Sequence, residues 1–468
     1  MELSFKKYME KTTSGKILCF ISVMLAFFVT LWQAYTVLTF NCIQNAETYT
    51  YYKIAKIAAD NSTLYPSITN LYDNEIYSPG FINYLTMLFK INGGLRFALL
   101  CNVALTLLLA FLIYFVASRV FKRRGIGFIS VIIFELTLSY TCAVLFLRSE
   151  LLLSVALFGG FALCLSKFKG RYILAGAVFA YACWINLIAL VFIAAAIIYL
   201  LLQKYGAHNA FKIVASLVCV VLVIQVSSYY ISGYSTFISP VSGKEVMESA
   251  NDYTNGRYGT QEVFAEGKEG YIPNANSLTF IEKNNYWLSQ SSEWISNNFG
   301  TYLSQIPNKL FTIYAPDTHY IYSYYLNLPF NGTGVLSTTL GNFFTFNFGA
   351  LSWVDGVMIF NQFVYWLTLL FAVATTIGFI IVRKHRKALI SLWIFPLFST
   401  LIYMIGSAES VMHVIFMPVF IMIAAAGISH TLMRKTRETC LGADVSSTDD
   451  NVAEQAAVTE TQEAPQAE

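Results

Sequence analysis

The chain is poor in charge. Only 12% of its 468 residues are Asp, Glu, Lys or Arg and 56% are hydrophobic, whereas an ordinary soluble domain carries about 25% charged residues. That balance excludes a soluble globular protein and defines a polytopic membrane protein. None of the eight cysteines forms a CxxC pair, and Cys19, Cys101, Cys142, Cys164, Cys183 and Cys219 lie inside apolar runs. Neither a disulfide framework nor a zinc site is indicated. No internal repeat can be aligned, which weighs against transporters built from inverted repeats. A free basic patch is also missing, because the Lys/Arg clusters sit at the ends of apolar helices; no nucleic-acid partner is expected. The N-terminal lysines (Lys6, Lys7, Lys11, Lys16) precede an apolar run too long for a signal-peptide core and without an A-x-A exit, so that run reads as a retained first helix.

Apolar runs are what the chain has in abundance. About 20 apolar residues in helix cross a bilayer, and candidate spans fall at 17–40, 97–120, 126–146, 150–166, 172–185, 187–202, 212–232, 357–382, 388–405 and 411–433. The pieces between Tyr172 and Leu202 are short, with Asn186 as the expected turn; a single tilted helix is the alternative. Charge favours ten spans. With the N-terminus inside, twenty of the thirty Lys and Arg fall on inner segments, including Arg119-Lys122-Arg123-Arg124, Arg383-Lys384-Arg386-Lys387 and Arg434-Lys435-Arg437. The rest are spread over much longer outer segments, as the positive-inside rule expects. A single helix over 172–202 would put the last two basic clusters outside.

The expected fold is therefore an all-α polytopic membrane protein of about ten helices. Its parts are an N-terminal membrane module over 1–232 with a first outer loop at 41–96, a large outer loop at 233–356 between spans 7 and 8, C-terminal membrane helices over 357–433, and a tail at 434–468. The tail is acidic and rich in Ala, Glu, Gln and Thr, a composition expected to be disordered and cytoplasmic. In the first outer loop, "ETYTYYKIAKIAAD" can be helical, with Glu47 and Tyr51 on one face and Ile54, Ile57 and Ala58 on a separate apolar stripe. "PGFINYLTMLFKINGG" starts a second helix at Pro79. It is too short to span, so two interfacial helices are expected to flank Glu47.

The order of these features resembles the GT-C superfamily of lipid-linked-sugar glycosyltransferases, especially the protein mannosyltransferase and aminoarabinose transferase group. There the first helix is followed by an acidic pair in a phrase like D-E-x-x-Y-x-x-I-A and then by a Y-x-P-G or H-P-P phrase. "ETYTYYKIA" places Glu47 at the family's aspartate, Thr48 at its glutamate, Tyr51 at its tyrosine and Ile54-Ala55 at its I-A. "YSPGF", from Tyr77 to Phe81, matches the second phrase. Arg96, the "LRSELLL" stretch with Arg148 and Glu150, and the ending of Glu409 followed by "HVIFMP" are also similar. Four positions depart: the aspartate is a glutamate, its acidic neighbour is Thr48, and the basic residues near the lipid phosphate are Asn186 and His413.

The resemblance implies transfer of a sugar from a polyprenyl-phosphate-linked donor to a glycan, lipid or protein acceptor at the outer face. Such chemistry needs one base within hydrogen-bond reach of the acceptor proton and positive charge for the departing phosphate. It needs no general acid, unlike a glycosidase with its two carboxylates. Glu47 is the candidate base, with Thr48 beside it. Tyr51 and Tyr77 are candidate substrate contacts. Arg96, Arg148, Lys309 and His413 are the candidate phosphate-binding cations, and Glu150 and Asn186 support them. A divalent metal is the alternative source of charge, although the sequence offers no compact acidic cluster beyond "DNE" at 73–75; no metal ligands are assigned and the cofactor is left open.

Each residue also has a plainer reading. Glu47 can be a solvated residue beside the membrane, and the tyrosines an interfacial belt. Arg96 can anchor a helix end, Arg148 and Glu150 can satisfy each other, and "PNKLFTIYAP" around Lys309 can simply begin a helix. Glu135 lies within "VIIFELTLS", where a charge costs ~3 kcal/mol, and is expected to be either a proton-handling residue or a bonded link between helices. The rival to a glycosyltransferase is a non-catalytic or transport protein, flippase-like or a degenerate relative, that binds polyprenyl lipid. A bacterial inner membrane with both termini cytoplasmic and a periplasmic active face fits the charge pattern, and an endoplasmic reticulum membrane with a luminal face fits equally.

Overall fold

The computed structural model describes residues 13–42, 44, 46–63, 78–232, 242–256, 261–315, 321, 324–325, 335–383, 385–408 and 410–431. Among them the structure is helical and contains no β-strand. Six helices are long and apolar enough to cross a membrane, and the chain is an integral membrane protein. These are α1 (Thr13–Thr39), α4 (Leu95–Val120), α10 (Ala207–Ser232), α16 (Trp353–Ile381), α17 (Arg386–Tyr403) and α18 (Met412–Thr431), the last opening as a 3-10 turn over Ser410–Phe416. Shorter apolar helices fill the middle of the chain: α7 (Ser149–Leu165), α8 (Arg171–Ile185) and α9 (Ala189–Leu202). In the segment 41–96 lie α2 (Ala46–Asp60) and α3 (Pro79–Ile91), and α5 (Arg124–Leu136) with α6 (Leu138–Ala143) occupies the third apolar run. The segment 233–356 holds α11 (Gly243–Ser249), α12 (Phe280–Asn297), α13 (Phe299–Ser304), α14 (Ile306–Ile313) and α15 (Val335–Phe344). The tail at 434–468 lies outside the described residues.

Two helix interruptions matter for the site. The apolar run from Tyr172 to Leu202 does break at Asn186, and the break is built by that side chain. Asn186 Oδ1 accepts from the Ile188 amide at 2.9 Å, satisfying a donor that the start of α9 leaves orphaned. The run expected as one span over 126–146 is instead two helices meeting at Thr137. The Thr137 hydroxyl bonds back to the Ile133 carbonyl at 2.8 Å, a local bond that competes with the helix ladder. Asn361 of α16 takes up the freed Leu138 amide through Oδ1 at 3.0 Å.

Burial sorts the helices into centre and edge. The apolar window of α18 is 83% buried, whereas those of α1 and α10 are 17% and 11% buried, so α18 runs through the bundle and the other two line its rim. Small residues set the closest approaches. A Cβ on Gly427 of α18 would sit 1.8 Å from Thr375 Oγ1 of α16, and one on Gly176 of α8 would sit 2.4 Å from the Ile213 carbonyl oxygen of α10. With no difference in apolarity between lipid and Leu to drive association, such backbone-to-backbone packing is what holds membrane helices together. Ser216 adds a bond to the Ile173 carbonyl across the same α8–α10 contact at 2.7 Å.

Candidate functional site

The helix carrying Glu47 is fixed to the bundle by the residue three positions before it. Gln44 Nε2 donates to the Leu145 carbonyl at 2.7 Å and Gln44 Oε1 accepts from the Leu147 amide at 3.1 Å. One amide side chain thus clasps the backbone turn that leads into Arg148. Asn102 of α4 holds the same turn from the other side, donating to the Phe146 carbonyl at 3.1 Å. Glu47 follows in the first turn of α2, where the helix macrodipole favours the ionised carboxylate; its side chain lies outside what the structure describes, as does Tyr77.

The buried face of α2 differs from the sequence expectation. Thr48, Tyr51, Ile54, Ala55 and Ala58 are all buried, so Tyr51 belongs with the apolar stripe instead of standing apart from it. Its ring packs edge-on against Phe81 of α3, centroids 5.0 Å apart, and Tyr52 packs in the same way on Phe89 at 5.5 Å. The first turn of α3 lies on the Asn186 break. Ser78 Oγ donates to the Ile185 carbonyl at 2.5 Å, and Tyr181 Oη of α8 donates to the Gly80 carbonyl at 3.0 Å. A Cβ at Gly80 would fall 2.8 Å from the Ile185 nitrogen, so the "PGF" phrase permits a backbone contact that no larger residue allows. Asn186 therefore braces the turn between α8 and α9 beneath α3, with its side-chain oxygen committed to the Ile188 amide.

The candidate cations fall into two groups. Arg148 is paired to Glu150, with Nη2 to Oε1 at 2.9 Å and Nε within 3.3 Å of both carboxylate oxygens. Arg96 is exposed at the start of α4 and close enough to Cys42 to offset part of the rise that burial imposes on that thiol. The second group lies where the 233–356 segment meets the C-terminal helices. Lys309 of α14 is fully buried; its ammonium donates to Ser249 Oγ and, at 2.8 Å, to the Met404 carbonyl, and lies 4.2 Å from the Tyr302 ring centroid. Burial lowers its pKa from 10.5 to about 8. His413, also buried, has Nδ1 2.9 Å from the Ile313 carbonyl oxygen and its ring 5.1 Å from that of Tyr365. Tyr140 of α6 donates to the carbonyl of Val414, next to His413.

Glu135 is buried two residues before the Thr137 break and has no ion-pair partner among the described residues. The link between helices at this level is the Asn361–Leu138 bond, not the expected carboxylate. Next to Asn361, the buried amide of Gln362 has neither polar atom bonded among the described residues. Sequence reasoning passed over Gln44, Asn361 and Gln362. The available signal was the position of amide side chains just beyond one apolar run and inside another, where a group with two hydrogen-bonding functions must find partners. Among the described residues no three His, Cys, Asp or Glu side chains come together in a way that could hold a metal.

Comparison with known proteins adds little. No family model and no curated protein matches the chain. Among solved structures it is similar to the archaeal oligosaccharyltransferase AglB from Archaeoglobus fulgidus, in complex with an inhibitory peptide and a dolichol-phosphate. The identity is 10% and the TM-score 0.47, over 90% of this chain and 51% of that one, so the chain spans about half the length of the structure it matches.

Proposed function

We propose that the protein is a glycosyltransferase of the outer membrane face that takes its sugar from a polyprenyl-phosphate-linked donor, with Glu47 as base. The observation that supports this reading best is the clasp of Gln44 on the 145–147 turn. It fastens the chain three residues before Glu47 to the turn that leads into the Arg148–Glu150 pair. In this scheme the acceptor hydroxyl or amine gives its proton to Glu47 and bonds to the anomeric carbon. The bond from that carbon to the phosphate oxygen breaks, and the polyprenyl phosphate leaves with the electron pair. Arg96 is the candidate cation with an exposed side chain, and Arg148 brings charge shared with Glu150. Lys309 and His413 act at a remove, by holding the outer loop and α18 in place. The ten-helix layout, cytoplasmic termini and a periplasmic site in a bacterial inner membrane belong to the same proposal.

Removal of the protein should cause a polyprenyl-linked sugar to accumulate, read by mass spectrometry of the lipid extract. Glu47→Gln should lower transfer by ~10²-fold or more, the scale of a lost general base, at normal expression and fold. Wild-type transfer by that variant would sink the assignment of the base. The second reading, a transport or non-catalytic lipid-binding protein, draws support from the Thr137 break beside Glu135 and from the Gln362 amide, since interrupted helices with buried polar groups often mark membrane pathways. It expects Glu135→Ala, and not Glu47→Gln, to abolish function.

A further inference from the structure

The large outer loop carries bare apolar side chains in two places, and each abuts the outer end of an apolar span. The first follows α15, where the chain turns back to Ser352 through Phe344, Phe346 and Phe348, all exposed and Phe346 to 78%. Its depth can be read against α16. Thr339 Oγ1 bonds to Asp355 Oδ1 at 2.5 Å, in the first turn of α16, whereas the Phe343 ring is 6.0 Å from that of Phe363. The segment therefore descends along α16 to a level about 15 Å below Trp353. With 29 residues α16 is about 43 Å long, longer than the roughly 20 residues that hydrocarbon requires. Counted from Ile381, next to the basic Arg383, those residues end near Gln362, so the tip of the hairpin comes down to where lipid begins.

The second place is α13–α14, with Leu303, Leu310 and Phe311 exposed, Phe311 to 75%. Tyr302 Oη donates to the Ile405 carbonyl at 2.7 Å, and the Tyr314 and Thr400 hydroxyls are 2.8 Å apart. Thr400 is fourteen residues, about 21 Å, along α17 from Arg386, within one bilayer thickness of the inner charges. Neither segment carries charge at its surface: residues 335–354 have none, and Lys309 in 299–315 is buried. Both surfaces continue into side chains that α16 and α17 expose along their apolar lengths, among them Phe363 and Leu401.

We propose that these two segments are inserted in the outer leaflet, so that the large outer loop rests on lipid instead of standing wholly in water. Lipid is the occupant because each surface is continuous with the membrane-facing side of a span and ends at the depth of the hydrocarbon boundary. The inference does not depend on glycosyl transfer, but it rests on the orientation proposed above, with the basic helix ends on the inner side.

The test uses single cysteines at Phe346 and Phe311 in the otherwise cysteine-free full chain, reconstituted in phosphatidylethanolamine–phosphatidylglycerol nanodiscs. Gly349→Cys and Gly300→Cys serve as further variants, since no heavy atom lies within 4 Å of a Cβ at either. Tyr253→Cys, on an exposed part of the loop, is the aqueous reference. A membrane-impermeant maleimide should label Phe346→Cys and Phe311→Cys about tenfold more slowly than the reference, and a fluorophore attached at either should be quenched by lipids with a nitroxide near the headgroup end of the acyl chain. Labelling as fast as the reference would overturn the proposal by showing a wet surface. Protection from both reagents would also overturn it, by showing that another protein or a second copy covers the patch.

Discussion

The segments 41–96 and 233–356 look alike in sequence, being polar, rich in tyrosine and set after an apolar span, yet they are fastened in different ways. The first is held by neutral side chains on backbone: Gln44 on the 145–147 turn and Ser78 on the Ile185 carbonyl. Its charges remain near the surface, as in Lys56–Asp60 at 3.1 Å and the exposed Arg96. The second takes a lysine out of water to make the attachment. Lys309 meets the Met404 carbonyl, while the Ser407 and Ala408 amides donate to the carbonyls of Glu245 at 2.8 Å and Gly256 at 2.9 Å. Neutral fastening leaves charge available to a ligand; charged fastening consumes it. The difference puts candidate chemistry in the first segment and docking in the second.

The sharpest test of that contrast is pH. The Lys309 pKa, lowered to about 8 by burial, lies below its unfolded value of 10.5. Between these values the unfolded chain binds more protons, so stability should rise with pH across this window, by about 3 kcal/mol in all. Thermal unfolding in detergent at pH 7 and pH 10 reads it. In Lys309→Met the rise should vanish while the first segment is untouched; an unchanged pH profile would show that Lys309 is not the group responsible.

Smaller effects probe the neutral fastening. Gly80→Ala should cost about 2 kcal/mol as α3 lifts off the Asn186 break, and should expose the 78–91 segment to proteolysis ahead of the large loop. Gln44→Ala removes two bonds and strands the Leu147 amide, for ~2 kcal/mol or slightly less; if α2 is positioned for catalysis, transfer should fall further than stability does. Equal transfer by Gln44→Ala and the parent would separate the clasp from the chemistry. The least effect, about 1 kcal/mol, is expected for Asn186→Ala through the lost bond to the Ile188 amide, with Asn186→Asp retaining most of it.

What could be read without coordinates followed from length and composition. Long apolar runs announced their helices, and Asn186 stood out as the polar residue interrupting a thirty-residue apolar stretch. Pro79 marked the start of α3 for a local reason, its fixed φ. The Thr137 break did not show, because a threonine inside an apolar helix usually bonds back to its own turn and the partner that makes the break stable, Asn361, is over two hundred residues away. The burial of Lys309 was equally hidden. Its partners are a backbone carbonyl, a serine and a tyrosine ring, none of which marks a sequence as an acid would. The identity of Tyr51 as a packing residue escaped for a related reason: an amphipathic tyrosine suits a core contact and a wet face alike.

The brevity of α8 and α9 has a consequence for the surrounding lipid. At 15 and 14 residues they reach only about 22 Å and 21 Å, well short of a hydrocarbon layer of about 30 Å. The bilayer must thin around this hairpin or be replaced there by protein. Because α3 packs over the turn that joins them, lipid beside this hairpin meets a shorter apolar surface than lipid on the flank of α10.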